Sequence, residues 1–344
     1  MSKAAQLAAL IGSGQAQGDK NLIINGNMAV AQRGTSVTGV SGGGYETVDR
    51  FRTAYNGSPD QLRVTHAQVA DAPAGFANSF KLTVTTKEDA LAADERVRFQ
   101  QRIEAFNLQK LAFGTSSALP ITLSFYVKSS ITGTYGVDLK NSDAGRSAAQ
   151  SYTISSANTW EKKSITFAGD TTGAFNNDNG EGLVVSWVLA AGTDYTSGTL
   201  ATAFASTTNA NLAPSNQVNL IGTDNSTWQL TGIQLEIGDV ATPFENESFG
   251  KTLQKCERYY NRIYDIWCDF AVYANNGRMS RRVDFPTTMR ANPSMTRNSV
   301  STTNCDGVAS NRTNLHGTHI YANSTGAVGD AFFIIADMEA DAEL

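Results

Sequence analysis

Charge is what this chain has least of. Asp, Glu, Lys and Arg make up 17% of its 344 residues, against about 25% in a typical soluble domain. The formal net charge is only −5. With 41% hydrophobic residues beside it, that low charge excludes disorder, which needs the opposite pairing. The 27 Lys and Arg are scattered and outnumbered by 32 Asp and Glu, so no basic footprint for nucleic acid exists. No run of about 18 apolar residues is present, so no helical membrane span is expected. Cysteine is as scarce: Cys256, Cys268 and Cys305, with no C-x-x-C. That excludes a disulfide framework and a structural zinc site, and the odd count suits a reducing cytoplasm. Seven prolines stand against 30 glycines. What remains is a Thr-, Ser-, Asn- and Gly-rich chain long enough for two domains of about 150 residues.

Most of that chain alternates with period two, the signature of half-buried strands. Phe80, Leu82 and Val84 face one way, as do Ile121, Leu123, Phe125 and Val127. Val97, Phe99 and Ile103 alternate with Arg96, Arg98 and Arg102, and the basic face so formed is a candidate subunit contact for acidic partners. Leu183–Leu189 is apolar on nearly both faces and reads as a central strand. Trp228 and Leu230 share one parity while Ile233, Leu235 and Ile237 take the other, as a β-bulge at Thr231-Gly232 would require. Asn25-Gly26, Asn56-Gly57 and the Asn176–Gly182 run supply turns. The low-complexity stretch Tyr195–Asn216 reads as a long loop.

Two segments break the β pattern. Ala4, Leu7, Ala8 and Ile11 fall on one helix face, and Lys3 is the lone charge, so a docking helix fits better than a signal peptide. After Pro243, Leu253, Cys256, Tyr260 and Ile263 recur at helical spacing behind Ser248, a candidate N-cap. That predicts an amphipathic helix of three to four turns. Trp267–Tyr273, Asn275-Asn276-Gly277 and Met279–Phe285 then read as a hairpin. The expected fold is mainly β: an antiparallel jelly-roll β-sandwich over 21–246, then a connecting amphipathic helix and a small C-terminal β-domain over 247–344, with residues 1–20 as the N-terminal helix.

Chemistry that needs a motif has little to stand on. His316 and His319 are three apart, which in a strand puts their rings on opposite faces, so no metal site is expected. The Asn176–Gly182 run lacks calcium-loop spacing, so structural calcium is not indicated and no cofactor is expected. There is no G-x-S-x-G for a nucleophile, and Gly42-Gly43-Gly44 has no Lys-Ser/Thr after it for a phosphate. Glycoside hydrolysis needs only two suitably placed carboxylates, and the Asp and Glu residues here are scattered over turns. Sugar recognition suits the composition best. Aromatic faces stack on sugar C–H faces while uncharged polar groups bond the hydroxyls. The candidates are Tyr126, Tyr152 and Trp160, with Tyr135 and Tyr195, in the sandwich. Trp267, Tyr273 and Tyr321, with Tyr264, are those of the C-terminal domain.

Three stretches in order go further. Asn21-Leu-Ile-Ile-Asn-Gly-Asn-Met-Ala-Val-Ala-Gln-Arg-Gly-Thr35 with Tyr45-Glu-Thr-Val-Asp-Arg-Phe-Arg52 comes first. Ser151-Tyr-Thr-Ile, Asn158-Thr-Trp-Glu161 and Gly180-Glu-Gly-Leu183 follow. Trp228-Gln-Leu-Thr-Gly-Ile-Gln-Leu-Glu-Ile-Gly238, Ala241-Thr-Pro-Phe-Glu245 and Cys256-Glu-Arg-Tyr-Tyr260 close the set. Together they resemble tail-fibre, receptor-binding proteins of tailed bacteriophages of the marine and cyanobacterial type, with a carbohydrate-binding-module-like jelly roll. The terminal Glu339–Leu344 also resembles a chain end in that family. The resemblance implies a non-enzymatic structural virion protein assembled as a homotrimer in the host bacterial cytoplasm. It further implies a tail location, attachment to a host surface glycan, and residues 1–20 docked on another virion protein. Placement on the head or baseplate is the alternative, and a polysaccharide depolymerase is the alternative of another class. The family offers no catalytic residue to carry over.

Overall fold

The computed structural model describes residues 19–272, 277–325 and 329–344. The helix expected over residues 1–20 and the turn at Asn275-Asn276 fall outside the described residues, apart from Asp19 and Lys20. The chain divides into two compact units, Met1–Glu247 and Ser248–Leu344.

The first unit is a jelly-roll sandwich of two six-stranded antiparallel sheets. One sheet runs β1 (Ser36–Val40), β3 (Arg63–Val69), β4 (Ser79–Thr86), β12 (Thr227–Ile237), β6 (Ile121–Ser129) and β9 (Glu161–Phe167). The other runs β11 (Ala205–Ser206), β8 (Arg146–Ile154), β7 (Gly133–Asn141), β10 (Glu181–Ala191), β5 (Arg96–Glu104) and β2 (Phe51–Asn56). Alternation decides which side chains meet between them. Phe80 of the first sheet stacks on Phe99 of the second at 4.1 Å, and Trp187 meets Phe125 edge-on at 5.7 Å. Each such buried side chain contributes about 1.5–3 kcal/mol.

The change of parity along β12 is a bulge. Its register against β6 shifts between Thr231 and Gln234, with Gly232 at φ +60°. β10 is central and buried on both faces. Its core face carries Trp187 and Leu189. Over its other face folds the Tyr195–Asn216 stretch, entered through α1 (Thr193–Thr196), and Tyr195, Leu212 and Ala213 pack on Val188.

The N-terminal motif is a polar lock at the edge of this sandwich. Asn25, at φ +61°, is 3% exposed; its side chain donates to the carbonyls of Val30 and Asp49 and accepts from the Val30 N–H. Gly26 lies so close to β12 that a Cβ would fall 2.1 Å from the Ile233 carbonyl oxygen. The junction motif completes the lock. Buried Glu236 accepts from the Thr242 N–H and hydroxyl, and Glu245 accepts from the backbone N–H groups of Asp19 and Asn21.

In the second unit α2 (Phe249–Glu257) starts at Ser248, whose hydroxyl accepts from the Lys251 N–H. Nine residues make about two and a half turns, shorter than the spacing predicted. Tyr260 and Ile263 belong instead to β13 (Tyr260–Val272), because that strand pairs from its first residue with β18 (Gly329–Asp341). β15 (Ser294–Thr303) pairs on the other side of β18. A second sheet holds β14 (Arg278–Asp284), β17 (Gly317–Ser324) and β16 (Cys305–Asn314) in that order. The expected hairpin is therefore overturned: β13 and β14 follow one another but sit in different sheets. Each has one apolar face, and both enter one core through Ile266 and Met279, beside Ile320, Phe333, Ile335 and Met338.

Candidate functional site

Parity on β5 creates a concavity on the second sheet. With Val97, Phe99 and Ile103 turned into the core, Arg96, Arg98, Gln100 and Arg102 emerge on the other face of the sheet. Register then sets their neighbours. Arg52 of β2 and Ser186 of β10 flank Gln100, with Asp138 of β7 beyond Ser186. Ala54 and Val188 flank Arg98, and Val184 lies between Arg102 and Lys140. The result is a cleft of about 480 Å³, which Tyr195, Thr207 and Asn209 of the long loop also line. That volume falls within the usual range for ligand pockets.

Arginine–carboxylate pairs organise the floor. Arg96 Nη2 lies 2.5 Å from Asp138 Oδ2, with the two side chains 2% and 4% exposed. Arg102 Nε lies 2.9 Å from Glu181 Oε2, and the Ser142 hydroxyl donates to Glu181 Oε1 at 2.6 Å. Arg98 hydrogen-bonds a neutral group, Asn56 Oδ1 at 2.6 Å, and feels the Asp138 carboxylate at longer range. Burial, and after it the like charge of Arg96, pulls the Arg98 guanidinium down to about 10, still cationic at neutral pH. Several buried polar atoms here have no hydrogen-bond partner: Nε of Arg96 and Arg98, Oε1 of Gln100, and the hydroxyl of Thr207. Burial raises the Tyr55 phenol, with the Glu46 charge adding to it. Buried polar atoms are normally satisfied, so these mark hydrogen-bonding capacity that the fold itself does not use.

A smaller pocket of about 360 Å³ lies against the first sheet, lined by Phe76, Tyr126, Phe244 and Gly232. Phe76 sits 5.5 Å from Tyr126 and 5.0 Å from Phe244. Gly232 keeps it open, since a Cβ there would fall 2.6 Å from Phe76 Cζ. We expect Gly232→Ala to cost about 1–2 kcal/mol, through its left-handed φ and that contact, and to push the two rings apart. A lowered urea midpoint checks this.

The stacking candidates do not converge. Tyr126 lines the smaller pocket, with Lys162 Nζ 5.8 Å from its ring centre. Tyr152 is corrected to a core residue. β8 turns it inward, 5% exposed, edge-on to Phe125 at 5.2 Å and stacked on Tyr135 at 5.7 Å, so no ring face is left for a sugar. Tyr135 is fully buried, and Tyr195 is 7% exposed beneath Arg96. Trp160 carries Lys128 Nζ at 5.1 Å from its ring and donates from Nε1 to Asp71. Trp267 is 55% exposed, as is Tyr264 at 58%, beside the left-handed Asp265. Tyr321 has the Arg278 guanidinium 3.6 Å from its ring centre. Tyr273 lies outside the described residues.

Sequence reasoning missed the cleft while holding its signal, the arginine parity of β5. The sequence alone makes the basic face of β5 a candidate contact for an acidic neighbouring subunit. Its acidic partners stand on its own sheet, Asp138 and Glu181. Among the described residues, no three His, Cys, Asp or Glu side chains group as a metal site.

No protein-family model and no curated protein matches the sequence. Solved structures resemble it at the level of fold. The enzymatically active domain of tailspike protein 4 of bacteriophage CBA120 aligns over 64% of this chain at 12% identity and a TM-score of 0.34, and the match spans only 22% of that chain. The family 11 carbohydrate-binding module of Clostridium thermocellum, in complex with a β-1,3-1,4-mixed-linked tetrasaccharide, aligns over 60% of this chain and 98% of its own, at 13% identity and a TM-score of 0.31. The CBM22-1 xylan-binding domain from Paenibacillus barcinonensis Xyn10C aligns over 65% and 100%, at 10% identity and a TM-score of 0.28.

Proposed function

We propose that the chain is a structural virion protein, the tail fibre of a tailed bacteriophage, which attaches the particle to a host cell by binding a surface glycan. The observation that carries glycan binding is the cleft of about 480 Å³ on the second sheet, with its unpartnered hydrogen-bonding atoms. Hydroxyl-rich ligands need such groups in a preformed concavity. The ordered motifs of residues 21–52, 151–183 and 228–260 support the virion assignment. In this reading the chain is a homotrimer, and residues 1–20 hold it to another virion protein. Three copies turn weak single-site binding into useful avidity. The protein is a binder and not a depolymerase, so host polysaccharide is held without release of reducing ends.

Glycan-array binding by the full chain tests the site. Ala54→Trp places an indole beside Arg98 in the cleft and is expected to lower the signal at least tenfold with an unchanged circular dichroism spectrum; an unchanged signal places binding elsewhere. Light scattering at micromolar concentration is expected to give a trimer, and a clean monomer removes the assembly claim.

A further inference from the structure

We propose that the cleft selects an anionic glycan, one bearing carboxylate or sulfate groups, through Arg98, Lys140 and the arginines beside them. The inference rests on the cleft being the glycan site and adds the class of ligand.

Charge is the first argument. The chain as a whole is net −5, yet five cationic side chains, Arg52, Arg96, Arg98, Arg102 and Lys140, line the cleft against two carboxylates, Asp138 and Glu181. Both carboxylates are already committed, to Arg96 and to Arg102. Arg98 hydrogen-bonds the neutral Asn56, and exposed Lys140 stands opposite Arg102 across Val184 of β10. A concave site lined by one sign of charge concentrates the opposite charge.

Geometry is the second. Arg96, Arg98 and Gln100 line the same concavity, and the buried Nε atoms of the two arginines and Oε1 of Gln100 have no partner within the fold. A guanidinium presents parallel N–H donors that match the two oxygens of a carboxylate or sulfate. The desolvation and like-charge repulsion that lower the Arg98 guanidinium are what a bound anion would relieve.

Aromatic content is the third. Only Tyr55 and Tyr195 reach the cleft, and Arg96 lies 5.3 Å from the Tyr195 ring centre. Discrimination there comes from charge and hydrogen bonds, not from stacking on neutral sugar faces.

Titration calorimetry on the full chain tests this with matched probes. Hexagalacturonate is compared with its methyl ester, which keeps the scaffold and loses the charge, and a dextran sulfate oligosaccharide with dextran. Tighter binding of at least one acidic probe than of its neutral counterpart, by tenfold or more, is expected. The uronate and sulfate arms tell the two anionic groups apart. Raising salt from 50 to 300 mM is expected to weaken the acidic probe several-fold. Arg98→Gln, and separately Lys140→Gln on an exposed side chain where folding is safe, are expected to remove most of the preference for the acidic probe over its neutral counterpart.

Equal binding of acidic and neutral probes, both blocked by Ala54→Trp, overturns the anionic class and leaves the glycan site standing. Acidic binding that neither Arg98→Gln nor Lys140→Gln changes is surface ion exchange and overturns the inference. Absence of binding to all four probes overturns it together with the reading of the cleft on which it rests.

Discussion

Asp138→Ala is expected to remove about 3–5 kcal/mol of folding stability, the cost of stranding a buried charge. Arg96 is 2% exposed, and its partner Asp138 lies under the same cleft at 3%. Without the carboxylate, the guanidinium keeps its desolvation cost and has only the Tyr195 ring, 5.3 Å away, to offset it. The pair itself is worth far less than its disruption, since desolvating two ions consumes most of their mutual attraction. Arg96→Met combined with Asp138→Leu is therefore expected to regain most of the loss. Urea unfolding checks both, read as a shifted midpoint at constant slope. A contrast sits in the first unit. Lys87 and Asp89 pair at 2.9 Å with side chains 44% and 62% exposed, and breaking that pair is expected to leave the midpoint unchanged. If Asp138→Ala behaves like that exposed pair, the buried bridge is not what fixes the cleft floor.

Which features were legible depends on whether local sequence or distant pairing decides them. The period-two pattern of Ile121, Leu123, Phe125 and Val127 has one physical solution, a strand with one buried face, and β6 is that strand. The bulge at Gly232 was equally readable, because a change of parity in an unbroken apolar strand requires an extra residue. Tyr260 and Ile263 misled because helical spacing over four positions also fits the start of a strand. The partner that settles the matter, Asp341 opposite Tyr260, lies at the far end of the chain. β13 and β14 misled for the same reason: a short turn invites a hairpin, but both strands find better partners across the unit. The stacking candidates do not converge on one site, and residue type alone does not reveal which ring faces are already taken. Tyr152 meets Phe125 and Tyr135, Trp160 meets Lys128, and Tyr321 meets Arg278. The motifs that carry the family resemblance turn out to be architectural. Asn25, Gly26, Glu236 and Glu245 close the sandwich, while the cleft is built by β5, β7 and β10, mostly outside those motifs. Resemblance and ligand chemistry are therefore read from different residues.

His66 is expected to make the protein acid-sensitive well above the range where carboxylates titrate. It sits on β3 opposite Leu82, 2% exposed, its ring 5.4 Å from that of Phe80 and its Nε2 without a hydrogen-bond partner. Burial disfavours the imidazolium and pulls the pKa from 6.5 down to about 4. Between those values the unfolded chain binds a proton that the folded chain refuses. The stability due to neutral His66 is therefore complete above about pH 6.5, falls as pH drops through the window, and is gone below about pH 4. The gap in pKa corresponds to about 3 kcal/mol in total, about 2 of which are lost between pH 7 and pH 4.5. His66→Leu keeps an apolar side chain against Phe80 and removes the titration. Acidic groups titrate alike in both proteins, including Asp71, whose carboxyl Lys128 holds below its ordinary range, so the difference between wild type and variant isolates the histidine. Urea unfolding at pH 7 and pH 4.5 is expected to show the variant gaining about 2 kcal/mol on the wild type as pH falls. A difference that stays constant with pH would mean that the ring accepts its proton without leaving the core, and the acid window would then belong to the carboxylates alone.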